Sequence, residues 1–381
     1  MRKVFKYLDK PLLITTIILF LIGLIMVFSA SNVTAYMSYV VSPYYYFVKQ
    51  AAFLIAGFLV FLFMINMNTK TYGVLSRGLL LILMASLGVL LVIGTAKNRA
   101  VSWFDLGIIS FQPSEFAKIV TIVYLAYFYD KNKNKLKSWG KSLSPIGICI
   151  GVAALIFMQP DLGTTIIYAL LVAAIFVIVP IAPEIKYKTV FAGIGIIGFG
   201  LISIFGAGKG VLRERQMERF DFKRPCDRIL ENGNQVCNCY IAMNNGGLTG
   251  VGLGNSTQKY LYLPEPYTDF IFAIIVEELG VITGILIILL YMFVLYRILL
   301  IGRRSYTNMG AIMCYGVAVY IFLHIAVNLL GIMGMMPMTG VPLPFMSYGG
   351  SFTICLIAAL TIVQRVSVEN GRTRDRELKG K

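Results

Sequence analysis

Long apolar segments alternate with short polar ones along almost the whole 381-residue chain. A helix needs about 20 apolar residues to cross the hydrocarbon core of a membrane. Ten segments approach or exceed that length, at approximately 11–31, 46–66, 78–96, 113–129, 144–158, 162–181, 189–206, 269–297, 309–332 and 350–368. The pattern predicts an all-α integral membrane protein with ten transmembrane helices. The large polar segment, 207–268, falls between the seventh and eighth of them.

The composition supports a membrane protein, with 58% hydrophobic residues, 14% charged residues and a mean hydropathy of +0.78. A soluble domain cannot bury that much apolar surface. We find no nucleotide-binding loop and no low-complexity tract. We therefore expect a single polytopic domain over 1–381, with the 207–268 loop and a cytoplasmic tail at 369–381 as its polar parts.

The net charge of +16 predicts an orientation. Cytoplasmic loops of membrane proteins collect Lys and Arg, whereas long loops are translocated regardless of their charge. With the N-terminus inside, most of the 34 Lys and Arg residues fall in segments on the inner side. Both termini are then cytoplasmic and the 207–268 loop is external. The basic excess does not indicate nucleic-acid binding, because no soluble fold is present to carry a basic face.

The stretch Gln258–Gly280 carries the strongest candidate chemistry. Within it Asp269 falls where the polar loop meets an apolar span, a position that is costly for a carboxylate unless it is paired, hydrated or functional. Asp269 is therefore our candidate catalytic carboxylate. Glu265, Gln258 and Lys259 precede it in the same stretch and are candidate substrate contacts.

A second pair of charges stands at the start of the fourth span, in the run FQPSEFAK. Glu115 and Lys118 are three residues apart and share one face of a helix. One interpretation is a structural ion pair that lets two charges enter the edge of the bilayer. The other is a charged cavity lining, in which Lys118 binds a phosphate and Glu115 orients it.

The run QPDLGTT joins the fifth and sixth spans. Asp161 is interpreted as the N-cap of the sixth span, and a catalytic role for it is the less favoured alternative.

In the external loop, Arg215 and Arg219 are four residues apart and could hold a pyrophosphate by bidentate contacts. The favoured alternative for that charged run is a solvated amphipathic helix on the membrane surface.

Three cysteines follow in the same loop, Cys226, Cys237 and Cys239, which allow one disulfide and leave one free thiol. The only histidine of the chain, His324, lies in the ninth span. A zinc site is therefore not expected.

Two further segments are unusual in their backbone chemistry. The glycine-rich run 244–256 resembles a phosphate cradle, but no strand precedes it, and we interpret it as flexible re-entrant backbone beside a cavity. The last loop, 338–351, is too apolar for solvent and too rich in proline for a helix. We expect it to fold back into the protein, with Ser347 as a candidate substrate contact.

Four separated runs together resemble one family, namely QPSEFAK, QPDLGTT, GVGLGNSTQKYLYLPEPYTDFIFAIIVEELG and TGVPLPFMSYGGS. They resemble the shape, elongation, division and sporulation (SEDS) family, which contains FtsW and RodA. The resemblance covers nearly the whole chain. It implies a peptidoglycan glycosyltransferase that polymerises lipid II, a disaccharide peptide on undecaprenyl pyrophosphate, at the outer face of the bacterial cytoplasmic membrane. It also implies a class B penicillin-binding transpeptidase as partner, within the divisome or the elongasome.

The resemblance assigns roles to three residues. The catalytic aspartate of the family falls on Asp269, and the glutamate and lysine implicated in activity fall on Glu115 and Lys118. The chain departs from the family pattern at Tyr267, where His is common, and at Ser102, where Arg usually precedes Trp. The cysteine-containing loop is also atypical.

The chemistry implied is an inverting transfer, for which one general base and a stabilised leaving group suffice. Lys118, an arginine of the external loop or a divalent cation such as Mg²⁺ or Mn²⁺ could neutralise the pyrophosphate. A lipid II flippase and a catalytically idle scaffold are the rival functions. YLPEP favours the division branch and the proline of GVPLPF the elongation branch, and we favour septal synthesis in cell division.

Overall fold

The computed structural model describes residues 2–93, 95–97, 100–105, 110–193, 225–228, 233–260 and 262–379. Helices make up most of this part of the chain. They are α1 (Arg2–Phe5), α2 (Lys10–Tyr39), α3 (Tyr45–Met64), α4 (Thr69–Ile93), α5 (Pro113–Lys131), α6 (Trp139–Met158), α7 (Leu162–Ile178), α8 (Asn234–Gly246), α9 (Ile271–Arg303), α10 (Asn308–Ile332) and α11 (Gly350–Lys379). Short 3₁₀ turns cover Lys133–Lys135 and Pro225–Arg228, and helical backbone also covers 183–193.

Seven of the described helices are long and apolar enough to cross a membrane, namely α2, α3, α4, α6, α9, α10 and α11. The predicted fourth and sixth spans also fall on helices, α5 and the shorter α7. Most of the predicted seventh span, 194–206, and the parts 207–224 and 229–232 of the external loop lie outside the described residues. A mostly helical fold is confirmed, whereas the count of ten spans and the position of the loop stay predictions.

The helices divide into an inner and an outer set. α10 and α11 are buried on most of their faces, and α5 and α9 pack against them. α3, in contrast, buries only Gln50 and Gly57. Its outer face carries exposed Phe, Leu and Ile side chains, as a lipid-facing helix does. The charged candidates of the sequence therefore belong to the inner helices and to the loops between them.

The sequence did not predict a small antiparallel sheet that precedes α5. Its strands are β1 (Thr95–Lys97), β2 (Ala100–Asp105) and β3 (Ser110–Phe111), in the order β1-β2-β3. Phe104 pairs with Phe111, and their rings stack at 6.5 Å. Strands this short are lost in a search for long apolar runs. The sheet leads the chain directly into Gln112 and the first turn of α5.

α9 is interrupted at Gly280, whose φ and ψ are 83° and 165°. The break frees the carbonyls of Glu277 and Glu278, which accept hydrogen bonds from the backbone N–H groups of Val251 and Gly252 at 3.0 and 2.9 Å. On the other side of the break, two freed N–H groups of α9 donate to the carbonyls of residues 247 and 248. The glycine-rich run thus completes the hydrogen bonds of a broken helix.

Glycine is required on both sides of this contact. A Cβ at Gly250 would lie 2.3 Å from the carbonyl oxygen of Glu278, and one at Gly280 would lie 2.3 Å from that of Leu248. Both glycines also have φ near 83°, which other residues adopt only with strain. The glycine-rich run was predicted to be flexible re-entrant backbone. Its hydrogen bonds to α9 hold it in place, so it is not flexible.

Candidate functional site

Asp269 lies in a turn over 262–270 that ends where α9 begins, so it stands outside the helix itself. The turn is closed by Thr268, whose backbone N–H and hydroxyl both donate to the carbonyl of Glu265, at 3.1 and 2.8 Å. Glu265 has a positive φ of 46°, and Pro264 and Pro266 flank it. The prolines and these two hydrogen bonds fix the direction in which the chain enters α9.

A side chain of α10 holds the backbone of Asp269. The amide nitrogen Nδ2 of Asn328 donates to the carbonyl of Asp269 at 2.9 Å and to that of Val341 at 2.8 Å. Asn328 is buried, its bond to Val341 is buried, and its bond to Asp269 is half-buried. A single amide therefore joins the Asp269 turn to the last loop. Sequence reasoning missed Asn328, although a polar residue in an apolar span is a signal of function or of specific packing.

The last loop holds the two residues before Asp269. The Ser347 hydroxyl donates to the carbonyl of Thr268 at 2.5 Å and accepts from the N–H of Leu343 at 2.8 Å. The N–H of Tyr348 donates to the carbonyl of Tyr267 at 2.9 Å. The loop folds back into the protein and is largely buried, as expected. Ser347, predicted as a substrate contact, is engaged with the backbone of the turn.

The carboxylate of Asp269, unlike its backbone carbonyl, is not held by hydrogen bonds to the described residues. It is partly exposed, and neither oxygen has a hydrogen bond to any residue that the structure describes. It faces a pocket with room for about one water molecule, roughly 10 Å³, lined by α10 and the last loop. A Cβ at Gly340 would lie 3.4 Å from its Oδ2. The arrangement presents an unengaged carboxylate on a fixed backbone.

The surroundings of Asp269 favour its neutral form. Burial of the carboxyl group first, and the negative charge of Glu265 second, raise its pKa from 3.8 to about 7. A carboxyl group with a pKa near the working pH is suited to accept and release protons. The electrostatics of the turn thus agree with a role as general base.

Glu115 and Lys118 form the predicted ion pair in the first turns of α5. The Lys118 ammonium lies 2.7 Å from Glu115 Oε1 and 3.0 Å from His324 Nε2. All three side chains are buried, and the ammonium also lies 5.6 Å from the centre of the Tyr320 ring. The pair is therefore enclosed by protein rather than exposed to a cavity. Its predicted contact with phosphate is not tested by this arrangement.

α10 connects this buried pair to Asp269. His324 and Asn328 are four residues apart on α10 and so lie one above the other on the same face. The first contacts Lys118, and the second holds the carbonyl of Asp269. The two charged motifs of the sequence, far apart along the chain, are thus joined through one turn of one helix.

Lys259, predicted as a substrate contact, is buried inside the protein. Its ammonium lies 2.9 Å from Glu278 Oε1 and donates to the carbonyl of Gly254 at 2.6 Å. Glu278 also accepts from the Ser29 hydroxyl of α2, at 2.6 and 2.8 Å to its two oxygens. Lys259 thus pairs with α9 and with the glycine-rich run.

The neighbouring Glu277 holds residues 256–258. Its carboxylate accepts from the hydroxyl of Ser256, from the N–H and hydroxyl of Thr257 at 3.1 and 2.9 Å, and from the N–H of Gln258 at 3.4 Å. Gln258 is itself buried, and its Oε1 has no hydrogen-bond partner in the part of the chain described. Gln258 therefore contacts α9 through its backbone, and a contact with substrate stays a prediction.

Some predicted features lie partly or wholly outside the described residues. Arg215 and Arg219 are among them, so their predicted contact with pyrophosphate stays a prediction.

The three cysteines of the external loop are described, and Cys226 forms a disulfide with Cys237 while Cys239 is free and buried. One disulfide and one free thiol were expected.

The sequence model for the cell cycle proteins FtsW, RodA and SpoVE matches residues 10–372. The chain belongs to this family. The probable peptidoglycan glycosyltransferase FtsW of Bacillus subtilis is 35% identical over 374 residues, which are 97% of this chain and 92% of that protein. Stage V sporulation protein E of the same organism is 35% identical over 365 residues, 94% of this chain and 96% of its own length.

Solved structures of FtsW/RodA/SpoVE-like folds are also similar. One comes from work on the structural coordination of polymerization and crosslinking by a peptidoglycan synthase complex. It matches with a TM-score of 0.75 at 22% identity, over 94% of this chain and 97% of that one. The crystal structure of the rod shape determining protein RodA of Thermus thermophilus matches with a TM-score of 0.68 at 22% identity, over 94% and 96%. At this identity the matches show a common fold.

Tyr267 lies two residues before the candidate base. Tyr267 is buried, with its ring centre 4.4 Å from that of Tyr46 and 5.7 Å from that of Tyr348. Tyr267 therefore contributes aromatic packing to the turn. Asp161, the other candidate carboxylate, accepts from the N–H of Thr164 at 3.0 Å and caps α7. The predicted N-cap is therefore confirmed.

Proposed function

We propose that this chain polymerises lipid II into glycan strands at the outer face of the cytoplasmic membrane, with Asp269 as general base. The proposal rests on a difference between the backbone and the side chain of Asp269. The backbone carbonyl of Asp269 is held by Asn328, while its carboxylate is unengaged among the described residues and faces a pocket. Fixed geometry with an available acceptor is what proton abstraction requires.

The reaction can be written with all bonds accounted for. The 4-hydroxyl oxygen of the acceptor sugar forms a bond to the anomeric carbon of the donor sugar, and its proton passes to a carboxylate oxygen of Asp269. The bond from that carbon to the pyrophosphate breaks, and undecaprenyl pyrophosphate leaves with the bonding electrons. An α-linked donor then gives a β-linked product, so a single displacement with inversion suffices. The lipid pyrophosphate supplies the driving force without a nucleotide.

The leaving pyrophosphate needs a positive charge near it. Lys118 is engaged with Glu115 and His324 and would have to leave them to reach a phosphate. We therefore assign that pair a positioning role through α10 and leave the phosphate to Arg215, Arg219 or a divalent cation.

A divalent cation would bind at the Asp269 turn. Mg²⁺ is commonly held by one or two carboxylates together with substrate phosphates. Asp269 and Glu265 are the carboxylates of the turn, and Glu265 would be the ligand of such a cation, because Asp269 is assigned to proton transfer. In the ranges that the structure describes, no cluster of three or more His, Cys, Asp or Glu side chains is placed to hold a metal by itself.

The orientation and the partner follow from the same proposal. Asp269 lies at the N-terminal end of α9, and the external placement of that end rests on the predicted ten spans with both termini in the cytoplasm. A class B penicillin-binding transpeptidase is the proposed partner, in keeping with the fold shared with a chain from a peptidoglycan synthase complex. Relatives named FtsW favour septal synthesis in the divisome over the elongation function of RodA.

The test is a paired assay on the purified full chain in proteoliposomes with fluorescent lipid II. We expect glycan polymer, seen as a ladder on a gel that lysozyme removes. Translocation of lipid II is followed in parallel by quenching of the fluorophore from outside. Translocation without polymer would contradict the proposal and support a flippase. Neither activity, with retained binding of the transpeptidase, would support the scaffold.

A further inference from the structure

A basic cavity of about 510 Å³ lies at the other end of α9 from Asp269. It is formed by the chain around Tyr7 and Asp9, by the last two turns of α9 and by the C-terminal half of α11. Arg297, the first residue of α9 that lines the cavity, comes 26 residues after Ile271, so roughly 40 Å of helix, interrupted at Gly280, separates the cavity from the candidate catalytic site. The cavity is therefore distinct from the site at Asp269.

Three arginines line the cavity, and only one of them is neutralised. Arg297 donates to both carboxylate oxygens of Asp9, at 3.2 and 2.5 Å. Arg304 and Arg374 are exposed and have no hydrogen bond or ion pair from their side chains to any residue that the structure describes. Arg304 is the C-cap of α9 and lines the same cavity as Arg297. Two guanidinium groups with all their donors available thus point to one anionic ligand.

The acidic side chains near the cavity are already engaged. Asp375 accepts from the hydroxyl of Tyr7 at 2.6 Å and from Lys6 at 3.3 Å. Glu377 accepts from the hydroxyl of Tyr306 at 3.1 Å. These contacts hold the two tyrosines in the cavity wall, and they leave no carboxylate paired with Arg304 or Arg374. The Tyr306 hydroxyl is neutral, so Glu377 keeps its negative charge, but the cavity lining itself, with three arginines and Asp9, carries a net positive charge.

The neutral polar groups of the cavity are used in holding its walls together. Asn370 accepts from the N–H of Tyr306 at 3.3 Å and donates to the carbonyl of Ile301 at 3.4 Å. The hydroxyl of Ser367 donates to the carbonyl of Tyr7 at 3.1 Å. The cavity is therefore preformed, because its three walls are joined by hydrogen bonds that do not involve the free arginines.

We propose that this cavity binds a phosphate group carried by an anionic phosphoester, the headgroup of an anionic phospholipid or a soluble phosphoester of the same chemistry. Guanidinium groups bind phosphate oxygens bidentately. A volume of 510 Å³ falls in the range of small-ligand sites. Basic pockets between helix ends at the cytoplasmic surface are suited to anionic headgroups. Bound there, a phosphate would join the end of α9 to α11 through Arg304 and Arg374.

The test uses the full chain, purified in detergent, with native mass spectrometry to count bound lipid. The probes are dioleoyl phosphatidylglycerol, dioleoyl phosphatidylcholine and the soluble sn-glycerol 1-phosphate. We expect selective retention of phosphatidylglycerol over phosphatidylcholine, and a fall in its affinity of about tenfold or more in the double variant Arg304→Gln/Arg374→Gln. Arg303→Gln is the matched control, because Arg303 is exposed beside Arg304 but does not line the cavity.

The soluble probe distinguishes the two sources of phosphate. Binding of sn-glycerol 1-phosphate that the double variant abolishes, without retention of phosphatidylglycerol, would assign the cavity to a soluble phosphoester. Equal binding of both phospholipids, or equal loss in the double variant and in Arg303→Gln, would overturn the proposal. A thermal unfolding curve of each variant establishes that both arginine changes leave the fold intact. The outcome does not depend on whether the chain polymerises lipid II.

Discussion

Asn328 donates its side-chain amide to the backbone carbonyl of Asp269 at 2.9 Å, and the same nitrogen bonds to Val341. The candidate base is therefore positioned from α10 through its main chain, which leaves its carboxylate available. His324, one turn earlier on α10, contacts the buried Lys118. The two charged motifs thus contact neighbouring turns of the same helix.

The first prediction concerns this amide. Asn328→Ala leaves the carbonyls of Asp269 and Val341 without a donor, and an unsatisfied buried group costs about 1–3 kcal/mol. A carboxylate displaced by about 1 Å can lower a rate by about 100-fold. We expect kcat for polymerisation to fall at least tenfold, with a smaller change in KM. Asn66→Ala is the control, because Asn66 is exposed and bonds only within its own helix end. A variant with unchanged kcat would exclude the positioning role.

The second prediction is a pH profile. The pKa of Asp269 is raised to about 7, by burial first and by Glu265 second. Since a general base must be ionised, polymerisation should increase as the pH rises through about 7. Glu265→Gln removes the neighbouring negative charge, so the acidic limb of the profile should move to lower pH. A limb that stays in place in Glu265→Gln would show that another group titrates.

The raised pKa of Asp269 also makes the stability of the fold depend on pH. The folded pKa lies above the unfolded value of 3.8, so the folded protein binds the proton more tightly. This group therefore destabilises the fold increasingly as the pH rises from about 4 to about 7. Asp269→Asn removes the effect, and its melting temperature should exceed that of the natural chain by an amount that grows over this range.

The third prediction separates structure from substrate binding at Lys259. Its buried pair with Glu278 joins the glycine-rich run to α9, and removing one partner of such a pair costs about 3–5 kcal/mol. Lys259→Met should lower the melting temperature strongly. Lys259→Met/Glu278→Leu should cost less than the sum of the two single changes. Lys6→Met, at an exposed ion pair, should leave stability nearly unchanged. An unaltered melting temperature with a raised KM for lipid II would instead support the substrate contact.

The fourth prediction concerns the break in α9. Gly280→Ala places a Cβ 2.3 Å from the carbonyl oxygen of Leu248 at a φ of 83°. We expect a loss of about 3 kcal/mol or more in the free energy of unfolding. Gly147→Ala is the matched control, because Gly147 is exposed in α6 and its Cβ would contact nothing within 4 Å. Alanine should stabilise that helix by up to about 1 kcal/mol. Equal effects of the two changes would refute the described contact.

The sequence predicted those features that depend on local composition. Apolar runs identified the long helices, and the position of Asp269 at the boundary of loop and helix followed from the cost of a charge in lipid. The spacing of Glu115 and Lys118 predicted their ion pair. Each of these needs only the residues within a few turns.

The sequence did not reveal features that depend on distant partners. Gly280 lies in a run that is apolar enough to read as one continuous helix, and its break requires the carbonyls of the glycine-rich run. Lys259 looked available for substrate because its partner Glu278 is on another element. Asn328 is a polar residue in an apolar span, and its importance follows only from the turn that it contacts.

The fifth prediction is the most direct test of Asp269 as the base. The rate of glycan formation from lipid II is measured for the natural chain, for Asp269→Asn and for Asp161→Asn. Asparagine still caps a helix, so the second variant makes the same chemical change outside the site. We predict that polymer formation is abolished in Asp269→Asn and is close to normal in Asp161→Asn, with both variants folded. Normal glycan strands from the folded Asp269→Asn variant would contradict the account.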